Sequence, residues 1–222
     1  MKRIERPKSL TELVAQEIRD RIVSGELKPG QALSELKMSR ELDVSRTPVR
    51  EAFNRLEMEG LITTERQRGT FVFTLRKDEL AKICDARTCL EVAALEYAIK
   101  RNPGPLYEAL AGSVARMSQA RKDANTAAYL SEDTRFHQHF FDFADNRFLN
   151  DAYQAIAAKM AALRNMLGDH PDHMSKSFAE HETIVDAVRD RDFPTAAAIL
   201  RTHIDRKEGS YWKLATLDEK QE

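Results

Sequence analysis

The chain has 222 residues and a formal net charge of −1, from 35 basic and 36 acidic side chains. This length suffices for two modest domains, or one large one, with a substantial core. The near-neutral charge excludes a protein that coats nucleic acid or membrane over its whole surface, and it allows a local basic site.

The first 60 residues have the pattern of three helices. Ser9 and Glu12 fit a capping box, and Val14, Ile18 and Ile22 repeat on one helical face until Gly25 and Pro29-Gly30. A short helix over 35–42 and a tight connection at 43–44 follow. The third helix then runs to about residue 58, and a glycine at position 60 ends it.

The pattern then changes to that of two strands. The segments LITTE (61–65) and TFVFT (70–74) are β-branched and aromatic, and the loop between them ends in Gly69. This is the signal of a β-hairpin. Three short helices followed by a hairpin predict a winged helix-turn-helix over residues 1–75, which carry 14 Lys/Arg against 12 Asp/Glu.

The stretch DVSRTPVREAF (43–53) indicates how this domain would bind DNA. Ser45 or Thr47 caps the third helix, so Arg46 and Arg50 project from its exposed amino-terminal end. In a helix-turn-helix that end contacts base edges, and arginine binds guanine through two hydrogen bonds. Ser45 and Thr47 suit phosphates, and Arg66 and Arg68 at the wing tip suit the backbone or the minor groove. The alternative is a solvated basic helix end beside a hairpin without function.

The segment LSELKMSRELDVSRTPVREAFNRLEMEGLI, followed by RGTFV, resembles the DNA-binding domain of the GntR superfamily of bacterial transcription regulators. The resemblance covers residues 8–74. It implies that Arg46, Thr47, Arg50 and Gly69 are DNA contacts and that Lys37 lies near a phosphate. The family usually has glycine where this chain has Asp43, and aspartate tolerates the left-handed turn conformation better than most residues.

Residues 76–222 predict an all-helical domain and show no strand signal. Six segments have helical periodicity: 78–101, 104–123, 125–143, 147–167, 175–191 and 194–213. Together they describe an antiparallel helical bundle, and the complete chain is predicted to be mainly α.

Cysteine content and hydropathy indicate the compartment. Cys84 and Cys89 form no CxxC pair, and no apolar run reaches the about 18 residues that a membrane helix needs. The opening MKRIERPKSL lacks the apolar segment of a signal peptide. We therefore expect a cytoplasmic protein with free thiols and no membrane partner.

Four polar side chains of the bundle have the helical phase of interior residues. Asp133 and His137 share a face with three phenylalanines, and His181 and His203 each lie in an aliphatic stripe. His139 lies about 200° from His137, on the face predicted to meet solvent. Buried imidazoles and carboxylates need partners, and one divalent metal would satisfy all four groups. The alternative is that each is a hydrogen-bonded core residue. His170 and His173 flank a proline in a predicted connection and are excluded as ligands.

The motifs around these residues resemble the FCD effector domain of the FadR branch of GntR regulators. They are DxxFH (133–137), EHETIVDAV (180–188) and AAAILRTHI (196–204). Many members of that branch bind a metal through one Asp and three His, and the resemblance carries these roles to Asp133, His137, His181 and His203. We expect zinc first, with nickel or manganese as the other candidates.

Arg87 stands out because it lies on an apolar face with Leu80, Ile83 and Leu90. A cation that faces a core needs an anion. One interpretation is a structural ion pair with Glu91 or Asp133. The other, which the resemblance favours, is that Arg87 binds the carboxylate of a small effector, with Asn165 as an additional polar contact.

The sequence thus predicts a metal-containing, ligand-responsive transcription regulator, a repressor by family tendency. It would bind a palindromic operator as a homodimer and sense a small organic acid. Two alternatives remain: a regulator whose metal is purely structural, closed by four protein ligands, and a metal-dependent hydrolase. No second convergent carboxylate is evident as a general base, so we expect that the protein is not an enzyme.

Overall fold

The computed structural model describes residues 8–167 and 171–204. The chain divides into two compact units, Met1–Thr74 and Leu75–Glu222, here called the head and the bundle. The described residues are mainly helical, and the only sheet among them is a small one in the head. The predicted fold class, a winged helix-turn-helix followed by an all-helical unit, is confirmed.

The head contains α1 (Leu10–Val23), α2 (Glu35–Glu41) and α3 (Arg46–Met58). The predicted capping box exists: the Ser9 hydroxyl accepts from the Glu12 N–H, and the Glu12 carboxylate accepts from the Ser9 N–H. The apolar face of α1 is buried, and α1 packs against α3. Burial of that face, rather than helix propensity, therefore fixes α1 in the head.

The connection between α2 and α3 is a tight turn at Asp43. Its φ is 50°, in the left-handed region, as the sequence predicted. At the other end of α3, Gly60 has a φ of 68° and terminates the helix. These two turns fix the direction of α3 relative to α2 before it and to β2 after it.

The wing is a three-stranded antiparallel sheet. The predicted hairpin is confirmed as β2 (Ile62–Glu65) paired with β3 (Gly69–Val72). A third strand, β1 (Ala32–Leu33), pairs with the other edge of β3, so the strand order is β1-β3-β2. The sequence did not predict β1, because two residues are too few to show an alternating pattern.

The bundle consists, within its described residues, of six helices that correspond to the six predicted segments. They are α4 (Lys77–Arg101), α5 (Pro103–Lys122), α6 (Thr126–Phe143), α7 (Arg147–Leu167), α8 (Pro171–Arg189) and α9 (Phe193–Ile204). The largest difference is at α8, which begins at Pro171 instead of residue 175, so His173 lies in the helix and not in a connection. Proline suits the first turn of a helix, where its missing N–H would have no partner. The predicted extension of α9 over 205–213, and His170, lie outside the described residues.

Helix α6 is the central element of the bundle. It packs against α4, α5 and α7, and its Phe136 and Phe140 are fully buried. The prediction that His139 faces solvent is wrong: this side chain is buried, with its Nδ1 3.5 Å from an Asp142 oxygen. A helix with neighbours on several sides buries more than one face, and helical phase alone cannot reveal that.

Candidate metal centre and nucleic-acid interface

The four predicted metal ligands lie together in the interior of the bundle. Helix α6 supplies Asp133 and His137, α8 supplies His181, and α9 supplies His203. One potential ligand atom from each residue lies within 4.8 Å of the other three, and all four residues are buried. Three helices with interior histidine or aspartate thus converge on one point.

Two carboxylates orient two of the imidazoles. His137 Nδ1 lies 2.7 Å from Glu91 Oε2, and His203 Nδ1 lies 2.9 Å from Glu180 Oε2. Because an ionised carboxylate only accepts hydrogen bonds, each Nδ1 carries the proton and each Nε2 carries a lone pair. The two Nε2 atoms are 3.2 Å apart. Two lone pairs that face each other at this distance favour a cation between them, and this carboxylate–histidine arrangement is typical of metal ligands.

His181 provides a second, independent observation. Both of its ring nitrogens are buried and have no hydrogen-bond partner among the described residues. Its Nε2 lies 3.6 Å from Asp133 Oδ1. A buried imidazole without a hydrogen bond is costly, and coordination of a metal would compensate for that cost. The donor set of one carboxylate and three imidazoles therefore fits a divalent ion such as zinc.

The electrostatics of the cluster favour the ligand forms of these residues. Burial lowers the pKa of His181 to about 4. Burial, followed by the Arg87 and Arg164 guanidiniums, also places the pKa of His137 well below its usual value. Burial by itself would raise the pKa of Asp133, but Arg164 and the three neighbouring histidines together outweigh this and keep that pKa below its ordinary value. His137 and His181 are thus neutral and the aspartate is ionised at neutral pH, as metal coordination requires.

Arg87 lies next to the cluster, on α4. Its side chain is 2% exposed, and its Nε donates to Glu91 Oε1 at 2.5 Å. One of the two ion pairs proposed from the sequence therefore exists. Glu91 is itself fully buried, and its other oxygen binds His137. Glu91 is thus a second buried carboxylate at the cluster, which was named from the sequence only as a possible partner of Arg87; it shares a helical face with Arg87, one turn further along α4.

Arg164 on α7 is a residue that sequence reasoning missed. Its side chain is 5% exposed, and its Nε lies 3.1 Å from Asp133 Oδ2. The signal was available: Arg164 interrupts an apolar stripe that contains Met160 and Ala161, as Arg87 interrupts the stripe on α4. The neighbouring Asn165 was chosen instead; it is half-buried, and its Nδ2 donates to the Ala161 carbonyl in its own helix.

In the head, the predicted DNA-reading residues lie at the start of α3. Ser45 is the N-cap residue, as predicted, but its hydroxyl does not make the capping hydrogen bond that was expected from the sequence. Thr47 and Arg50 are exposed, and the Arg46 side chain is 66% exposed, with its Nη2 3.0 Å from Glu35 Oε2. The helix end thus presents hydroxyls, unpaired N–H groups and guanidiniums together.

The remaining predicted DNA contacts lie on the wing and on α2. Arg66 and Arg68 are exposed on either side of Gln67, whose φ of 67° places it at the tip of the hairpin. Gly69 has a φ of 116°, a conformation that a residue with a Cβ rarely adopts. Lys37 is exposed on α2, and its Nζ lies 3.7 Å from Glu41.

Within the described residues, none of the helices combines the length and the apolar character that crossing a membrane requires.

The chain matches two protein families, one in each unit. Residues 10–72 match the bacterial regulatory proteins of the gntR family, and residues 82–206 match the FCD domain. The gluconate operon transcriptional repressor of Bacillus subtilis (strain 168) is 29% identical over 184 residues, which cover 81% of this chain and 75% of the repressor. An uncharacterized HTH-type transcriptional regulator in an unstable DNA locus of Streptomyces ambofaciens is 31% identical over 192 residues, covering 84% and 78% of the two chains.

A solved structure has the same fold. The crystal structure described as a putative transcriptional regulator GntR from Rhodococcus sp. RHA1 superposes with a TM-score of 0.81 at 23% identity, covering 93% of this chain and 99% of that one. The relatives are transcription regulators and repressors, not enzymes. This chain therefore belongs to the GntR family of bacterial transcription regulators, with a DNA-binding winged helix-turn-helix followed by an FCD domain.

Proposed function

We propose that this regulator is a metal-containing, ligand-responsive repressor that binds a palindromic operator as a homodimer and senses a small organic acid. The observation that carries the proposal is the buried set of Asp133, His137, His181 and His203. In this set the His181 nitrogens have no hydrogen-bond partner in the described part of the chain, and two Nε2 lone pairs converge. FCD domains commonly bind metal, and these residues fit such an ion.

On DNA, the amino-terminal end of α3 enters the major groove. Arg46 and Arg50 bind base edges, and Ser45, Thr47 and Lys37 bind phosphates. Arg66, Arg68 and Gly69 bring the wing to the backbone or the minor groove. Two copies related by a two-fold axis place two such helices on the two half-sites of a palindrome.

In the bundle, the metal is a divalent ion, zinc first and nickel or manganese otherwise, held by the aspartate and the three histidines. When bound, it supplies positive charge that attracts the carboxylate of an effector. Arg87 binds the same acid with its guanidinium, and Asn165 is the second proposed polar contact. The relative from Bacillus subtilis is named after the gluconate operon, and gluconate is a small acid of this kind.

Two observations weigh against the alternatives. Both oxygens of Glu91 are hydrogen-bonded, one to Arg87 and one to His137, so this carboxylate is not available as the general base of a hydrolase. A purely structural ion, closed by four protein ligands, does not account for the buried Nη2 of Arg164, which has no hydrogen-bond partner among the described residues. That alternative predicts that organic acids have no effect on the metal-loaded protein.

Metal content tests the site. We expect that the double variant His181→Ala/His203→Ala loses the bound ion in elemental analysis, since half of the donor set is gone. His139→Gln is the matched control, because His139 is buried on α6 but lies outside the cluster. Equal metal content in wild type and double variant would refute the site.

The response to effectors tests the proposed sensing of a small organic acid. A thermal-shift screen of small organic acids against the zinc-loaded protein is expected to give acids that raise the melting temperature, because they bind the native state. Arg87→Ala should reduce that shift while metal content stays the same. The active acids should then change the affinity for an operator selected from random duplex DNA, measured by fluorescence anisotropy. An Arg87→Ala variant that responds like wild type would exclude Arg87 from the effector site.

A further inference from the structure

Arg164 occupies an unusual place for a cation that the proposed function does not use. Its side chain is 95% buried, with one edge on Asp133 and its Nη1 donating to Thr134 Oγ1 at 3.3 Å. Its Nη2 is buried and has no hydrogen-bond partner among the described residues. A guanidinium group with an unsatisfied buried N–H pair is costly unless a ligand accepts from it.

The guanidinium groups of Arg87 and Arg164 converge on one point. Arg87 Nε lies 2.5 Å from Glu91 Oε1, and Arg164 Nη2 lies 3.9 Å from the same oxygen. The two cations come from α4 and α7 and lie beside the proposed ligands on α6. Two arginines on different helices, next to one metal cluster, form a two-point receptor for negatively charged groups.

The formal charges of the interior indicate how much negative charge is missing. Among the described residues of the bundle, the buried Asp, Glu, Lys and Arg side chains are Arg87, Arg164, Glu91 and Asp133, and their charges cancel. Histidines that bind a metal are neutral and add no charge, and Glu180 at the edge lies 3.9 Å from Lys176, which offsets its charge. A divalent ion in the proposed site therefore leaves two uncompensated positive charges in a buried volume. One monocarboxylate removes half of that excess, and a dicarboxylate removes all of it.

We propose that Arg164 is the second cation of the effector site and that the effector is a small dianion, namely a dicarboxylate that uses both Arg87 and Arg164. This inference rests on the proposed metal-dependent sensing of an organic acid. It adds that the effector carries two carboxylates and that Arg164 binds the second one.

A comparison of acids with one and two charges tests the effector class. Zinc-loaded full-length protein is titrated calorimetrically with malonate, succinate, glutarate and malate, and with the monoamides of the first three, which keep length and shape but carry one charge. At least one dicarboxylate is expected to bind about 10- to 100-fold tighter than its monoamide, the range for a hydrogen bond to a charged group. If dicarboxylates and monoamides bind equally, the dianion inference is wrong and acid sensing stands. If none of these acids binds, the failure extends to the proposed acid sensing.

The variant Arg164→Met tests the residue. It should abolish the advantage of the dicarboxylate and leave the affinity for the monoamide within about twofold, while elemental analysis shows the same zinc content. Arg135→Met, which removes an exposed arginine of α6, is the matched control and should keep the advantage. Arg164→Lys keeps the charge and serves if the methionine variant does not fold; it should weaken dicarboxylates selectively. A variant that weakens both classes of acid equally would assign Arg164 to the support of Asp133 alone.

Discussion

The arginines proposed to bind ligands have opposite environments in the two units, and the difference follows from what each guanidinium binds. On the head, the Arg46 side chain is 66% exposed and is positioned by Glu35 at the start of α2. In the bundle, Arg87 and Arg164 are buried against Glu91 and Asp133. An exposed arginine is ready for a polyanion from outside, whereas a buried one needs an internal carboxylate or a ligand.

The exposed pair gives the first prediction. Arg46→Ala or Arg50→Ala should weaken specific operator binding by about 1–3 kcal/mol each, because each removes a bidentate base contact. Fluorescence anisotropy with a selected operator measures the loss, and circular dichroism checks the fold. Arg55→Ala, at the other end of the same helix, is the control and should bind almost as wild type. Unchanged affinity in both test variants would exclude these contacts.

Glu91 gives the second prediction at this scale. Glu91→Gln removes the charge that holds His137 in the ligand tautomer and that pairs with Arg87. Metal affinity should fall about 10- to 100-fold, as is usual when a carboxylate behind a metal-bound histidine is replaced. Competition with a chelating dye measures it. Glu96→Gln, on the outer part of α4, serves as control, and a Glu91→Gln variant with wild-type affinity would contradict the role of Glu91.

Among the elements, the turn between α2 and α3 sets the geometry on which DNA reading depends. Asp43 has a φ of 50°, which costs most L-residues about 1–2 kcal/mol and suits glycine. Asp43→Val should therefore lower the free energy of unfolding of the head by about 1–2 kcal/mol, whereas Asp43→Gly should not lower it. Urea denaturation of both variants is the measurement. Equal stability of the valine variant and wild type would show that the turn is not constrained.

Elements with strong periodic or capping signals were predictable, and those set by tertiary packing were not. The capping box at Ser9 and the glycine at position 60 located α1 and the end of α3. Strand β1 forms because it pairs with the second edge of β3. A segment of two residues has no alternating pattern from which this pairing could be predicted. Likewise, His139 is buried because α6 has neighbours on several sides.

For the candidate site, helical phase was the informative signal. It placed the four ligand candidates inside, because each shares a face with aliphatic or aromatic residues. The same signal marks Arg164, which interrupts its apolar stripe as Arg87 does, but it does not show that Arg164 and Glu91 meet the ligand candidates of other helices. Side-chain partners such as Glu91 with His137, 46 positions apart, depend on how the helices pack.

At the scale of the whole molecule, a near-neutral chain divides its charges between two tasks. The basic groups proposed to bind DNA are exposed at one helix end and one hairpin of the head, and the buried Asp, Glu and Arg charges among the described residues of the bundle cancel. An effector can change operator affinity only if it binds the DNA-competent and DNA-incompetent states unequally. The metal and the two buried arginines are the proposed source of that difference.

The central claim is that the aspartate and three histidines of the bundle hold a divalent metal ion. Crystals of the purified protein, measured on both sides of the zinc absorption edge and of the nickel and manganese edges, test it directly. We predict one strong anomalous peak per chain, enclosed by Asp133, His137, His181 and His203, and its loss in the His181→Ala/His203→Ala variant. Absence of any anomalous peak among these four side chains in metal-supplemented crystals would contradict the claim.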